Sequence, residues 1–125
     1  LYPDIIIDRG EKCIEVYDVK YKFFNTRYGI KREDLFQLHT YVSYLSNYYT
    51  ILRCGIIYPQ EDNDKKIENT NNILRHPKYE NGIPLNVIFL NIPSDDENNY
   101  KGKMDESKDV FLKSFESYNF SNAKV

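Results

Sequence analysis

The order of apolar and polar positions divides the chain into short strands and one well-marked helix. Pro3 to Asp8 (PDIIID) predicts a strand, and Asp8-Arg9-Gly10-Glu11 has turn chemistry. Cys13 to Lys22 predicts a second strand, so the two should form an antiparallel hairpin. Phe23 to Ile30, with Asn25, Thr26 and Gly29, reads as a loop. From about Lys31 to Tyr49 the period becomes helical, with Glu33 and Asp34 in the first turn, where the helix dipole favours acids. Leu35, Leu38, Val42, Leu45 and Tyr49 recur at spacings of three and four and define a buried face. Gln37, Tyr41, Tyr44 and Tyr48 form a second stripe beside it. Ile51 to Tyr58 predicts a compact apolar strand ended by Pro59. Gln60 to Asn72 (QEDNDKKIENTNN) has almost nothing to bury and predicts a mobile surface loop. Leu85 to Ile92 predicts another strand, bounded by Pro84 and Pro93; a second polar loop spans 94–104, and Asp105 to Tyr118 shows a weaker helical pattern. A helix followed by a buried strand implies an α/β fold, a mixed central sheet flanked by helices.

At 125 residues the chain fits one domain with a real core, and 41% hydrophobic content with 15% aromatics rules out general disorder. The start at Leu1, close to a strand, reads as a fragment of a longer protein, with any partner-binding region upstream. There is no signal peptide and no apolar run near the roughly 18 residues of a membrane span, so a soluble, cytoplasmic protein is expected. Cys13 and Cys54 fall inside predicted strands without a CxxC pair, which points to reduced thiols rather than a zinc site. His39 and His76 read as isolated, and no Gly-rich phosphate loop is present. The formal net charge of −2 gives no global basic field, but Lys20, Lys22, Arg27, Lys31 and Arg32 cluster between a strand and the helix.

The chemistry concentrates beside that cluster. Strand alternation in CIEVYDVKYK puts Ile14, Val16, Asp18, Lys20 and Lys22 on one face and Glu15, Tyr17, Val19 and Tyr21 on the other. A carboxylate and an ammonium that continue a buried aliphatic face are expensive unless paired or put to use. With the turn near residues 9 to 11, Asp4 and Asp18 stand about equally far from it and should lie opposite each other. Two adjacent carboxylates repel unless one protonates or a cation sits between them, and magnesium suits oxygen ligands.

Pro3-Asp4, a hairpin and then Asp18-Val19-Lys20 resemble the PD…(D/E)xK signature of restriction and repair nucleases. The continuation through YDVKYK, EDLFQLHTYVSYL and GIIYP resembles the nuclease domain of McrC-type restriction subunits, well over residues 1 to 59 and loosely over 83 to 93. Gln37 and Tyr41, four apart on one helix face, match the QxxxY element of RecB-like and McrC-like nucleases. The resemblance implies a restriction-endonuclease-like sheet and DNA hydrolysis in a McrBC-like, modification-dependent restriction system. The ion it implies is Mg²⁺, with Mn²⁺ as substitute. Asp4, Asp18 and the Val19 carbonyl would be the metal ligands, and Lys20 would orient the nucleophilic water. Gln37 would contact the site or the DNA backbone, with Tyr41 in support, and Lys22, Arg27, Lys31 and Arg32 would bind DNA. The implied partner is a McrB-like AAA+ GTPase, engaged through an N-terminal region that these residues do not include. Many family members also carry an acidic residue on a helix ahead of the PD strand, for which this sequence has no counterpart.

Two rival readings share these residues. One is a repair nuclease of the RecB or resolvase type. The other is a DNA-binding or assembly module that keeps the fold without catalysis.

Overall fold

A computed structural model describes residues 3–24, 26–61 and 68–92, with the side chains of residues 61 and 92 left out. The weak helix expected over Asp105 to Tyr118, the loop 94–104 and the centre of the predicted 60–72 loop lie outside the described residues.

The hairpin of β1 (Ile5–Asp8) and β2 (Cys13–Val19) is antiparallel, with Ile5 opposite Tyr17 and Asp8 opposite Ile14. Its turn is closed by the Arg9 N–H to the Cys13 carbonyl (2.8 Å) and the Cys13 N–H to the Gly10 carbonyl (2.9 Å). Gly10, Glu11 and Lys12 all take positive φ there, a conformation that glycine adopts without a side-chain penalty. β2 ends at Val19 rather than Lys22. The Lys20 N–H still donates to the Ile57 carbonyl (2.8 Å), but the chain then turns away and sends its lysines toward the helix.

Helix α1 (Arg32–Leu45) buries Leu38, Tyr41, Val42 and Leu45 as its period requires, and also buries Asp34. The predicted end at Tyr49 is four residues too long. From Asn47 the bonds mix three- and four-residue closures, Asn47 to Tyr44 and Tyr49 to Leu45, and Tyr49 is 42% exposed. An apolar face with i+4 spacing does not by itself mark the residue at which the last turn unwinds.

β3 (Thr50–Glu61), β4 (Thr70–His76) and β5 (Tyr79–Ile92) complete a five-stranded sheet of order β1-β2-β3-β5-β4. β2, β3 and β5 are mutually parallel, and the edges β1 and β4 are antiparallel to their neighbours. Three expectations fail here. Pro59 does not end β3 but pairs with Leu90 inside it. The Ile57 carbonyl points to β2, so residue 59 offers its nitrogen to the same side, where β2 has already finished and no N–H is needed. Residues 60–61 and 70–72, read as loop, belong to β3 and β4. β5 begins at Tyr79, not Leu85, and β4, which periodicity left unread, hairpins onto it through Pro77-Lys78. β4 exposes all but Leu74 and His76, so it lacks the apolar alternation that betrays a strand.

The sheet carries apolar side chains on both faces. Ile14, Val16, Ile56, Tyr58, Leu85, Val87 and Phe89 pack with α1. Ile5, Ile7, Tyr17, Val19, Ile57 and Ile88 form a second cluster. This is why β3 reads as a continuous apolar run. Among the described residues α1 is the one helix, so the expected plural layer of helices is seen only in part. No described helix is long and apolar enough to cross a membrane. Cys54 is fully buried and its thiol is pushed up to about 12 by burial; Cys13 is half-buried, and both thiols are free.

Gly55 is required by packing rather than by backbone conformation. A Cβ there would meet the Asn86 carbonyl oxygen at 2.5 Å and the Tyr17 ring at 2.8 Å. Gly55→Ala should therefore cost about 1–3 kcal/mol, because neither a paired backbone nor a fully buried ring can withdraw. Urea unfolding of the variant against wild type measures this, and equal midpoints would contradict it.

Candidate functional site

The register that pairs Ile5 with Tyr17 brings Asp4 opposite Asp18 at the open end of the hairpin. Asp4 is exposed, whereas Asp18 is 4% exposed. Asp4 Oδ2 accepts the Val19 N–H at 2.9 Å. Because Lys20 donates toward β3 and the Val19–Lys20 peptide is trans, the Val19 carbonyl points the other way, to the β1 side where Asp4 lies. Two carboxylates and a backbone carbonyl thus gather at the carboxyl end of β2. In open α/β sheets ligands favour this end of the strands.

Lys20 connects this group to the helix. Its Nζ lies 2.6 Å from Asp18 Oδ2, donates to Gln37 Oε1 at 2.6 Å, and stands 3.7 Å from Asp34 Oδ1. Gln37 Nε2 in turn donates to the Tyr41 hydroxyl at 2.8 Å. Gln37 thus touches the site through Lys20, and Tyr41 holds its amide from the other side. Lys22 Nζ reaches Asp34 Oδ1 at 3.0 Å and Glu33 Oε1 at 3.7 Å, and so is held to the helix. Arg27 lies over the Tyr28 ring, 5.4 Å from its centroid. Lys31 and Arg32 are exposed at the start of α1. The basic residues are thus not one patch: Lys22 is tied inward, and Arg27, Lys31 and Arg32 are exposed.

Asp34 and Tyr58 are the residues that the sequence did not single out. Asp34 is 3% exposed, and its Oδ2 accepts the Tyr58 hydroxyl at 2.9 Å. The first-turn position that suggested a dipole role conceals a buried counter-ion for two lysines. The available signal was its spacing, three residues before Gln37 and so on nearly the same helix face.

Burial drives the electrostatics. It raises the Asp18 carboxyl to about 6; Lys20 opposes the shift and Asp4 adds to it. Burial works against the Lys20 ammonium, but Asp18 and then Asp34 and Tyr41 outweigh it, leaving its pKa above the ordinary lysine value. Burial, reinforced by the Asp34 carboxylate, also raises the Tyr58 phenol, which stays a donor at any ordinary pH.

The arrangement offers hard oxygen ligands beside a fixed cation. Among the described residues no three His, Cys, Asp or Glu side chains converge as a closed metal cage. Two carboxylates with a carbonyl nevertheless suit magnesium, which keeps several waters and takes substrate oxygens rather than filling its shell from protein.

His39 and His76, read as isolated, meet in the fold. Their rings stack at 4.9 Å, and Ser43 Oγ lies 2.8 Å from His76 Nε2 and 3.4 Å from His39 Nδ1. The Lys78 N–H donates to His76 Nδ1 (3.1 Å), so Nε2 carries the proton of the neutral ring and donates to Ser43. Burial first, then His39 and Lys78, lower the His76 pKa. The group joins α1 to β4.

The family model of the McrBC 5-methylcytosine restriction system component matches residues 1–59. This stretch holds the hairpin, α1 and β3 as far as Pro59, and with them Asp4, Asp18, Lys20, Asp34, Gln37, Tyr41 and Tyr58. The match supports a component of a McrBC restriction system. Comparison with curated proteins and with solved structures gives no match.

The raised Asp18 carboxyl has a defined sign. Its folded pKa exceeds the ordinary unfolded value of about 3.9, so its contribution is fully present below pH ~4 and is lost as pH rises through about 6. In a chelating buffer, wild type should lose stability relative to Asp18→Asn between about pH 4 and 7, on the order of 1–2 kcal/mol. Thermal melts of both proteins across that range measure the difference. A gap that does not widen with pH would show that Asp18 is not strained by burial.

Proposed function

We propose that this chain is the nuclease part of a McrBC-like, modification-dependent restriction system, hydrolysing DNA phosphodiesters with Mg²⁺. The observation that carries the reading is the convergence of Asp4, Asp18 and Lys20 at one strand end, inside the stretch that matches the restriction family. Asp4 and Asp18 would hold the ion with the Val19 carbonyl, and Mn²⁺ would substitute.

The bound ion supplies Lewis acidity and an acidified water. In the hydrolysis the water gives a proton to solvent and its oxygen bonds to phosphorus while the bond to one ester oxygen breaks, and solvent returns a proton to the leaving oxygen. Lys20 serves as a fixed ammonium rather than a base, since its counter-charges hold it protonated. Its role is to orient the water and offset negative charge on the phosphoryl oxygens. Gln37 is a positioning residue, because its Oε1 fixes the ammonium and its amide is itself fixed by Tyr41. The exposed Arg27, Lys31 and Arg32 would meet the DNA backbone, whose charge makes such contacts salt-dependent. A McrB-like AAA+ GTPase would supply the motor and the reading of modified bases.

Asp18→Ala or Lys20→Ala in the complete protein, assayed with partner, GTP and Mg²⁺, should lower DNA cleavage by ~10²–10³ or more. GTPase stimulation should be kept, because neither side chain builds the sheet. Near wild-type cleavage by both variants would overturn the reading, in favour of a module that binds or assembles without cutting.

A further inference from the structure

We infer that Asp34 is the counter-ion to which Lys20 transfers when a divalent cation takes Asp18, and that this exchange releases Lys22 toward the DNA phosphate. The inference rests on the reading of Asp4 and Asp18 as cation ligands.

One half-buried ammonium stands between two carboxylates at unequal distances, 2.6 Å to Asp18 and 3.7 Å to Asp34. A cation on Asp18 withdraws that negative charge from the lysine. A half-buried ammonium that loses its nearest counter-charge is drawn to the next carboxylate in reach. Gln37 is neutral and supplies a dipole only. Asp34 is the other acid within reach among the described residues, and Tyr58 holds its Oδ2 so that Oδ1 stays turned to the lysines. Closing 3.7 Å to an ordinary ion pair needs a small rotation of a four-carbon stem.

Lys22 occupies the same oxygen at 3.0 Å, and its side chain is 40% exposed. As Lys20 approaches Asp34, Lys22 loses most of its partner's charge. It is the lysine that can turn out to solvent, with Glu33 at 3.7 Å as an intermediate hold. Without cation, Asp18 and Asp34 neutralise Lys20 and Lys22. With it, Asp4 and Asp18 neutralise the ion, Asp34 neutralises Lys20, and Lys22 is left for an anion. Asp34 is thus a positioning residue acting through both lysines, and cation binding is coupled to presentation of a phosphate-binding charge.

The test follows the Lys20 side-chain ammonium by ¹⁵N NMR in the full chain, for wild type and Asp34→Asn, without metal and with saturating Mg²⁺. Thermal melts report on folding. Without metal the signal should persist in both proteins, because Asp18 holds it. With Mg²⁺ it should persist in wild type and vanish through rapid exchange in Asp34→Asn. Tyr58→Phe, which frees Asp34 without removing its charge, should speed that exchange by about 10-fold, the loss of one hydrogen bond, and only in the presence of Mg²⁺. Cleavage by Asp34→Asn in the complete protein should fall as well. If Mg²⁺ shifts the Asp4 and Asp18 carboxyl resonances yet the Lys20 signal of Asp34→Asn persists, the transfer is overturned and the cation site stands. If those carboxyl resonances ignore Mg²⁺, both are overturned. Should Asp34→Asn fail to fold, Tyr58→Phe decides alone, and an exchange rate unchanged by Mg²⁺ overturns the transfer.

Discussion

A single ammonium group, Lys20 Nζ, is where the sheet, the helix and the candidate chemistry meet. It sits just past the end of β2, on the face that α1 covers, and binds one acid from the strand and one amide from the helix. Helix and sheet are also held by apolar packing, but that packing is tolerant of sliding in a way that the charge-assisted Lys20–Gln37 hydrogen bond of 2.6 Å is not. The lysine therefore sets the register of Asp34, Gln37 and Tyr41 against Asp18. Removing Lys20 would leave the buried Asp18 beside Asp4 without its counter-charge, whereas Lys20 without Asp18 keeps Gln37 and the more distant Asp34. The arrangement is costly as a means of stability and intelligible as a means of holding charges in place.

The parallel centre of the sheet makes that position possible. β2, β3 and β5 run in one direction, so their carboxyl ends lie together, and α1 follows β2 after one loop with its first turns beside them. Asp34 and Gln37 come from those turns, Tyr58 from β3 and Asp4 from the antiparallel edge. The opposite face carries a different polar group. Glu15, 2% exposed, is bound by Arg9 and the Tyr17 hydroxyl among the apolar side chains of the second cluster. Burial and then the Glu15 charge raise the Tyr17 phenol, so it stays a donor. This group faces away from Asp18 and braces the hairpin, and the candidate site lies on the helix-side face.

The sequence by itself determined the hairpin, its register and the helix. Gly10 in a short turn, flanked by apolar alternation, leaves little freedom in how β1 and β2 pair, and a slip of one residue would turn every buried side chain outward. The opposition of Asp4 and Asp18 follows from that local geometry, as does the shared helix face of Gln37 and Tyr41. Strand ends were less legible. Pro59 and Pro84 look like stops, yet each tolerates a strand where no partner requires its N–H, and β4 is too exposed to leave an apolar period.

Only the tertiary structure decided which charges belong to whom. Asp34 is adjacent in sequence to Glu33, and both fit a helix dipole, but one is 73% exposed in its side chain and the other 4%. Tyr58, 24 residues away, and two lysines from beyond β2 make Asp34 a site residue. His39 and His76 likewise become neighbours because β4 returns beside α1. Periodicity reports the burial of apolar faces, since that free energy is set by local spacing. The pairing of buried charges depends on contacts between distant elements, and no spacing along the chain encodes it.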